Sequence, residues 1–258
     1  MQITYLLADT PISTRVRTVL AQADALIARG HRVRIATQGA PVAWRASRAE
    51  WLYVDDFGGI EDEIVLAEPP AGFEIVDDEV YRLRTPRMRQ PPRVLLCGAS
   101  QDETKNVDTG YGAAAHARWF HQRFDLIRVS PWAPSRQEPL DAVQEFHVAL
   151  TTDEMTRLMH SCDVIIAPEE RFSLSTAEAF AAGVPAAMTA RSAVDLGDKL
   201  IEILENESLR DELIATARET AKQWRADVVA PRLEAWLGVR ASRPHPPGVP
   251  PGGDHGAE

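Results

Sequence analysis

The sequence predicts an α/β fold built from two domains with parallel β-sheets. Residues 3–7 form an apolar run, apolar positions recur at helical spacing over residues 16–27, and residues 31–36 alternate as a strand does. The same succession of strands and helices returns over residues 93–188. Proline-rich breaks interrupt the short apolar stretches of residues 58–91. We therefore expect two α/β domains joined by a segment of strands and linker.

The elements of the first unit have recognisable start and stop signals. Ser13 precedes the predicted helix as a cap, and Gly30 follows it, where a left-handed residue is usually needed. A βαβ unit of this kind places a ligand beyond the carboxyl ends of its strands. The loop after the first strand, residues 8–12, lacks the glycines of a dinucleotide-binding fingerprint. A tight phosphate loop is therefore not expected at this point.

The second domain carries five predicted strands, and its helices continue to residue 236. The tail differs, because residues 244–256 contain five prolines and four glycines and almost no apolar side chain. The predicted organisation is a partial N-terminal domain (1–57), strands and linker (58–91), a C-terminal domain (92–224), a helix that crosses back to the N-terminal domain (225–240) and a disordered tail (241–258).

Composition excludes several classes of protein. The 258 residues include 28 Lys and Arg against 38 Asp and Glu, which gives a net charge of −10, and 45 % of them are hydrophobic. This balance is that of a globular protein, and its acidic excess argues against a nucleic-acid-binding surface. No stretch approaches the roughly 18 apolar residues of a spanning helix, and no signal peptide is recognisable. We therefore expect a cytoplasmic protein with no nucleic-acid partner.

Candidate functional residues are concentrated in residues 168–185, which lie between two predicted strands. Glu170 stands on the loop that leaves the first strand, and Glu178 is predicted in the first turn of the following helix. A helix start presents free backbone N–H groups and a partial positive charge, which suit a diphosphate. A carboxylate nearby can accept hydrogen bonds from sugar hydroxyls. The spacing alone leaves a second interpretation open, in which Ser175 and Glu178 form a capping box.

The two glutamates, the seven residues between them and the following Ala-x-Ala-x-Gly-x-Pro resemble the E-x7-E motif of the family 4 retaining glycosyltransferases, which have the two-domain GT-B fold. Three further segments resemble the family in the same order: residues 26–33, 98–108 and 155–164. The likeness covers residues 1–55 and 92–236 of the chain. It implies a GT-B-like fold with a truncated N-terminal domain.

The resemblance implies a nucleotide-sugar donor, a glycan or lipid-linked acceptor and no metal or other cofactor. In the family pattern Lys105 neutralises the donor diphosphate and Glu170 contacts the donor sugar, so both are predicted catalytic residues. Glu178 would accept the ribose hydroxyls, and Val148 would flank the nucleobase. The remaining predicted donor-binding residues occupy two family loops, namely Gly98, Phe172, Ser173 and Leu174. A lipid-linked acceptor would bring the protein to the inner face of the membrane.

The sequence also departs from the family pattern. The N-terminal half is expected to contain about two strands before the linker, so much of the acceptor side would be missing. Ala99 follows Gly98 where an arginine usually pairs with the lysine, and Ser173 and Ser175 stand where glycine and proline are usual. These departures keep two alternatives open: a relative that binds the nucleotide sugar without transferring it or needs a partner chain, and a structural α/β protein. An incomplete sheet edge would favour a homodimer.

Overall fold

The computed structural model describes residues 1–60, 62–76, 81, 88–120, 122–169, 173–188 and 191–241. The chain divides into two compact units. Unit 1 comprises Met1–Ile75 and the segment from Ala226 onward, and unit 2 comprises Val76–Arg225. Of the predicted disordered tail 241–258, Ala241 is instead the last residue of a helix, and residues 242–258 lie outside the described residues.

Strands and helices alternate along most of the described chain. The strands are β1 (Gln2–Leu7), β2 (Arg32–Thr37), β3 (Glu50–Tyr53), β4 (Ile64–Leu66), β5 (Arg93–Cys97), β6 (Asp125–Ser130), β7 (Glu145–Val148), β8 (Val164–Ala167) and β9 (Ala186–Met188). The helices are α1 (Thr14–Ala28), α2 (Val107–Trp119), α3 (Thr152–Ser161), α4 (Leu174–Ala181), α5 (Ala193–Glu205), α6 (Glu207–Ala221) and α7 (Ala226–Ala241).

Unit 1 is a parallel sheet with the strand order β3-β2-β1-β4. Alternate residues of β1 and β2 point to one face, where they pack on α1 and α7 in a single apolar core that includes Tyr5, Ile35 and Leu233. The Ser13 hydroxyl caps α1 by accepting a hydrogen bond from the Val16 N–H. Gly30 follows the helix with φ +87°, the left-handed conformation that its position predicts.

The expectation of about two strands before the linker is wrong, because residues 1–57 contain three, and β4 completes a four-stranded sheet in unit 1. The two additional strands, β3 and β4, are four and three residues long. β3 is too short to show clear alternation, so the sequence pattern does not distinguish it from a loop, whereas β4 falls within residues 58–91, where short strands are expected. These two strands lie at opposite edges of the sheet, and the segment 54–63 that connects them therefore has to cross β2 and β1.

The crossing segment is attached to the sheet face opposite α1. The Asp62 carboxylate accepts hydrogen bonds from the Arg34 guanidinium, the Thr4 hydroxyl and the Gln2 amide. Thr4 and Arg34 alternate with the residues that face α1, so Asp62 lies on the other side of the sheet. Burial acts to raise the pKa of Asp62, but the hydrogen bonds and the charge of Arg34 together hold that pKa below its ordinary value.

Unit 2 is a parallel five-stranded sheet with the strand order β7-β6-β5-β8-β9 and helices on both faces. One face packs on α3 and α4 through residues such as Leu95 and Met159. The other packs on α2 and α5 through residues such as Leu96 and Leu200. Both faces of the central strands are therefore buried, which explains their continuous apolar runs. Among the described residues, no helix is long and apolar enough to cross a membrane.

Candidate functional site

The order of the strands in unit 2 defines where a ligand can bind. After β5 the chain proceeds to β6 and β7 on one side, and it then crosses to β8 on the other side of β5. The loops that leave β5 and β8 therefore diverge at the carboxyl edge of the sheet. In open α/β sheets this switch point forms a crevice, and ligands bind there. The predicted loops of Gly98 and of the two-glutamate motif are the two loops that leave these strands.

Gly98 and Lys105 lie against each other in the loop after β5. A Cβ atom at Gly98 would be 3.0 Å from the Lys105 Cβ and 3.1 Å from its Cγ, so the lysine stem packs where a side chain would otherwise be. Gly98 also has φ +131°, a conformation that side chains rarely adopt. Two physical reasons thus require glycine here. The structure brings these two predicted residues together.

Asn106 connects the lysine loop to the loop of the predicted motif. Its side-chain amide donates a hydrogen bond of 3.5 Å to the carbonyl oxygen of Pro168, the residue after β8. Asn106 has φ +47°, which asparagine tolerates better than most residues, and it directly precedes α2. Asn106 is not among the predicted site residues. An asparagine between a lysine and a predicted helix is the signal that could have identified it.

The start of α4 differs from the expectation. Ser173 is the residue that caps the helix, since its hydroxyl accepts a hydrogen bond of 3.3 Å from the Thr176 N–H. Ser175 lies inside the helix, so the capping box between Ser175 and Glu178 is wrong. Both serines are followed by helix-compatible residues, and the sequence alone does not select the cap.

Glu178 consequently lies in the second turn of α4, as its fifth residue, and the prediction of the first turn is wrong. Its side chain belongs to the buried surface of the helix, with an exposed fraction of 3 %. Leu174 is the first residue of the helix and is also buried. Glu170 and Phe172, the other two predicted residues of this loop, lie outside the described residues.

Val148 is at the carboxyl end of β7 and is 45 % exposed. β6 separates its strand from β5, and Val148 pairs in register with Ser130 of β6. It therefore shares the carboxyl edge of the sheet with the Gly98 loop without standing next to it. Among the described side chains, no group of three or more His, Cys, Asp and Glu residues is placed to hold a metal ion.

A buried ion pair lies beneath the segment that leaves β6. The Arg128 guanidinium donates a hydrogen bond of 2.9 Å to the Glu138 carboxylate, and the exposed fractions of the two side chains are 0 % and 1 %. Arg128 also donates to the carbonyl oxygens of Leu96 and Val129. Burial, together with the charge of Glu138, raises the pKa of the nearby Tyr111 hydroxyl. This pair fixes the course of residues 131–144 from the end of β6 to the start of β7.

Comparison with known proteins identifies similar folds. No protein-family model matches the chain, and no curated protein matches it. The structure is similar to that of WaaG, a glycosyltransferase involved in lipopolysaccharide biosynthesis, with a TM-score of 0.62 and 15 % identity over 91 % of this chain and 99 % of that one. An α-glucosyltransferase solved with UDP and a 13-mer DNA gives a TM-score of 0.65 and 9 % identity over 92 % and 99 % of the two chains.

A third similar structure is S. aureus TarM, solved with fondaparinux, alpha-GlcNAc-glycerol and UDP. Its TM-score is 0.51 and its identity is 14 %, over 72 % of this chain and 40 % of that one. At these identities the likeness shows the fold. The two α/β units with wholly parallel sheets, four strands in one and five in the other, have a GT-B-like fold. The predicted fold class is confirmed.

Proposed function

We propose that this protein is a cytoplasmic retaining glycosyltransferase that transfers a sugar from a nucleotide-sugar donor to a glycan or lipid-linked acceptor. The observation that carries the proposal is the position of Lys105, packed against Gly98 in the loop at the switch point of unit 2. The asparagine that follows it bonds to the loop after β8, from which the two-glutamate motif continues. The cation and the segment that leads into the carboxylate motif therefore follow two neighbouring strands, β5 and β8, which supports the proposal of one shared donor site.

The chemistry requires stabilisation of a leaving diphosphate. When the bond between the anomeric carbon and the phosphate oxygen breaks, that oxygen keeps the electron pair and gains negative charge. Lys105 would neutralise this charge, and the backbone N–H groups at the start of α4, around Ser173 and Leu174, would add hydrogen bonds without a metal. In the same proposal Glu170 and Phe172 contact the donor sugar and its phosphate.

The nucleoside part of the donor would extend from the phosphate site along the carboxyl edge of the sheet. Glu178 accepts the ribose hydroxyls in this proposal. Its burial supports a role in which the carboxylate meets a ligand in an environment shielded from water, where hydrogen bonds are stronger than at the surface. Val148 flanks the nucleobase, since it is exposed at the same edge.

Calorimetric titration with UDP, GDP and dTDP tests the donor site. We expect one nucleotide to bind, and Lys105→Ala to weaken it by tenfold or more, about 1.4 kcal/mol, because a charge-assisted contact to the phosphates is lost. Glu178→Gln keeps the shape of the side chain and should weaken binding to a similar degree. Lys222→Ala is the matched control, because Lys222 pairs with Glu219 on the exposed surface.

A transfer assay with the matching nucleotide sugar then separates an active enzyme from a binding protein. Release of the nucleotide together with an α-configured product from an α-linked donor supports retaining transfer. Tight binding with neither hydrolysis nor transfer indicates a relative that binds the donor only. A folded protein that binds none of the three nucleotides contradicts the proposal.

We also propose that the protein forms a homodimer. The short strands β3 and β4 are the two edges of the sheet in unit 1, and edge strands carry backbone groups that can pair with a second copy. The expected result is a mass of two chains by light scattering that falls toward one chain on dilution. A constant monomer mass over a hundredfold range of concentration would contradict it.

A further inference from the structure

Two exposed apolar side chains follow neighbouring strands at the carboxyl edge of unit 2. Trp132 comes two residues after the end of β6 and is 49 % exposed, and Val148 ends β7. Ser130, the last residue of β6, pairs in register with Val148. Neighbouring strands are roughly 4.8 Å apart, so the two side chains originate from adjacent points of one edge.

The backbone around Trp132 is fixed from two directions. Its N–H donates a hydrogen bond of 3.2 Å to the Ser130 hydroxyl. The carbonyl oxygen of the next residue, Ala133, accepts a bond of 3.4 Å from the Gln101 side chain, which belongs to the same loop as Lys105. Trp132 therefore lies between the lysine loop and the end of β7. The buried pair of Arg128 and Glu138 secures the rest of the segment.

Exposure alone does not identify a binding residue, because folded proteins commonly expose single apolar side chains. Trp119 illustrates this, since it is 81 % exposed but ends α2, on the side of unit 2 where the strands begin. Trp132 differs in its position. It is an aromatic residue at the ligand-binding edge, beside a cation loop that suits phosphates.

We propose that Trp132, together with Val148, forms the surface on which the nucleobase of the donor stacks. This inference rests on the proposed function and adds a residue that contacts the base to it. An indole presents a large flat face to a heterocycle, and stacking of a base on an aromatic side chain tolerates different bases. The diphosphate would then extend from this surface toward Lys105.

The test compares nucleotide binding with binding of inorganic pyrophosphate. In Trp132→Ala we expect the affinity for the preferred nucleoside diphosphate to fall by about tenfold or more, the range measured for loss of a stacked base. Pyrophosphate competes for the phosphate part of the site and should bind Trp132→Ala as it binds the wild type. Trp132→Phe keeps an aromatic face and should retain most of the nucleotide affinity. Trp119→Ala is the matched control and should bind both ligands normally.

Two results would overturn the inference. Wild-type nucleotide affinity in Trp132→Ala would show that the base does not use this residue. An equal loss of nucleotide and pyrophosphate, with an altered unfolding transition, would assign Trp132 a structural role. If the wild-type protein binds no nucleotide at all, the proposed function itself fails. If the wild type binds a nucleotide and Trp132→Ala binds it equally well, the inference about Trp132 alone fails.

Discussion

Replacement of Glu138 by alanine is expected to destabilise unit 2 by about 3–5 kcal/mol. The substitution leaves the Arg128 guanidinium buried without its carboxylate, and Arg128 has no exposed surface through which water could compensate. The carbonyl oxygens of Leu96 and Val129, which still accept hydrogen bonds from Arg128, do not neutralise its charge. The measurement is urea denaturation followed by circular dichroism, with the change in free energy taken from the midpoint and the slope.

Two further variants establish the cause of that loss. The double variant Arg128→Met with Glu138→Leu removes both charges and should recover most of the lost stability, because replacing a buried ion pair by apolar side chains is often neutral or stabilising. Glu219→Ala breaks an exposed pair with Lys222 and should change stability by less than about 1 kcal/mol. If Glu138→Ala were as stable as the wild type, the prediction would be wrong, because the Arg128 guanidinium would then have to be hydrated despite its burial.

The ion pair also links stability to the candidate site. It attaches residues 131–144, the segment that carries Trp132 past the lysine loop and returns the chain to β7. A parallel crossover usually contains a helix that packs on the sheet, but this one contains only the short 3-10 turn Leu140–Ala142. A buried charge pair thus performs here the attachment that an apolar helix face performs elsewhere.

The alternation of strands and helices was sufficient to predict both α/β units, because each central strand is buried on one or both faces and shows that burial in its sequence. The short strand β3 was not predicted, since four residues carry too little periodicity, whereas β4 falls within residues 58–91, which were expected to contain short strands. The role of Arg128 was not predictable either. An arginine within a strand is normally a solvent-facing residue, and only the three-dimensional path of residues 131–144 buries it.

The candidate site was predicted mainly from the order of motifs along the chain. The contact between Gly98 and Lys105 depends on a left-handed asparagine and a turn at residues 103–105, which the spacing of the residues does not encode. The cap of α4 was misplaced by two residues because Ser173 and Ser175 have equal capping propensity. Trp132 was not predicted as a site residue, and only the structure shows that it follows Ser130, which pairs with Val148 at the carboxyl edge of the sheet.

Asp62→Asn is expected to destabilise unit 1 by about 3 kcal/mol at neutral pH, because it leaves Arg34 without its charged partner. The Asp62 side chain has no exposed surface and Arg34 is 19 % exposed. Asp62 attaches the crossing segment 54–63 to β1 and β2, just as Glu138 attaches the crossover of unit 2. In both units the arginine belongs to the second strand in chain order, and the acid belongs to a connection whose described residues form no α-helix.

The pH dependence follows from the direction of the pKa shift of Asp62. Because the folded protein holds this pKa below its value of about 3.9 in an unfolded chain, the stabilisation is complete above that value and is lost as the pH falls through the folded pKa. The free energy of unfolding of the wild type, measured by denaturation, should therefore fall below about pH 4. The difference in that free energy between the wild type and Asp62→Asn should disappear over the same pH range. Glu68→Gln, which alters the exposed pair with Arg15, should leave both the stability and its pH dependence nearly unchanged. If Asp62→Asn retained the full acid sensitivity of the wild type, another carboxylate would have to hold the crossing segment, and the parallel between the two units would fail.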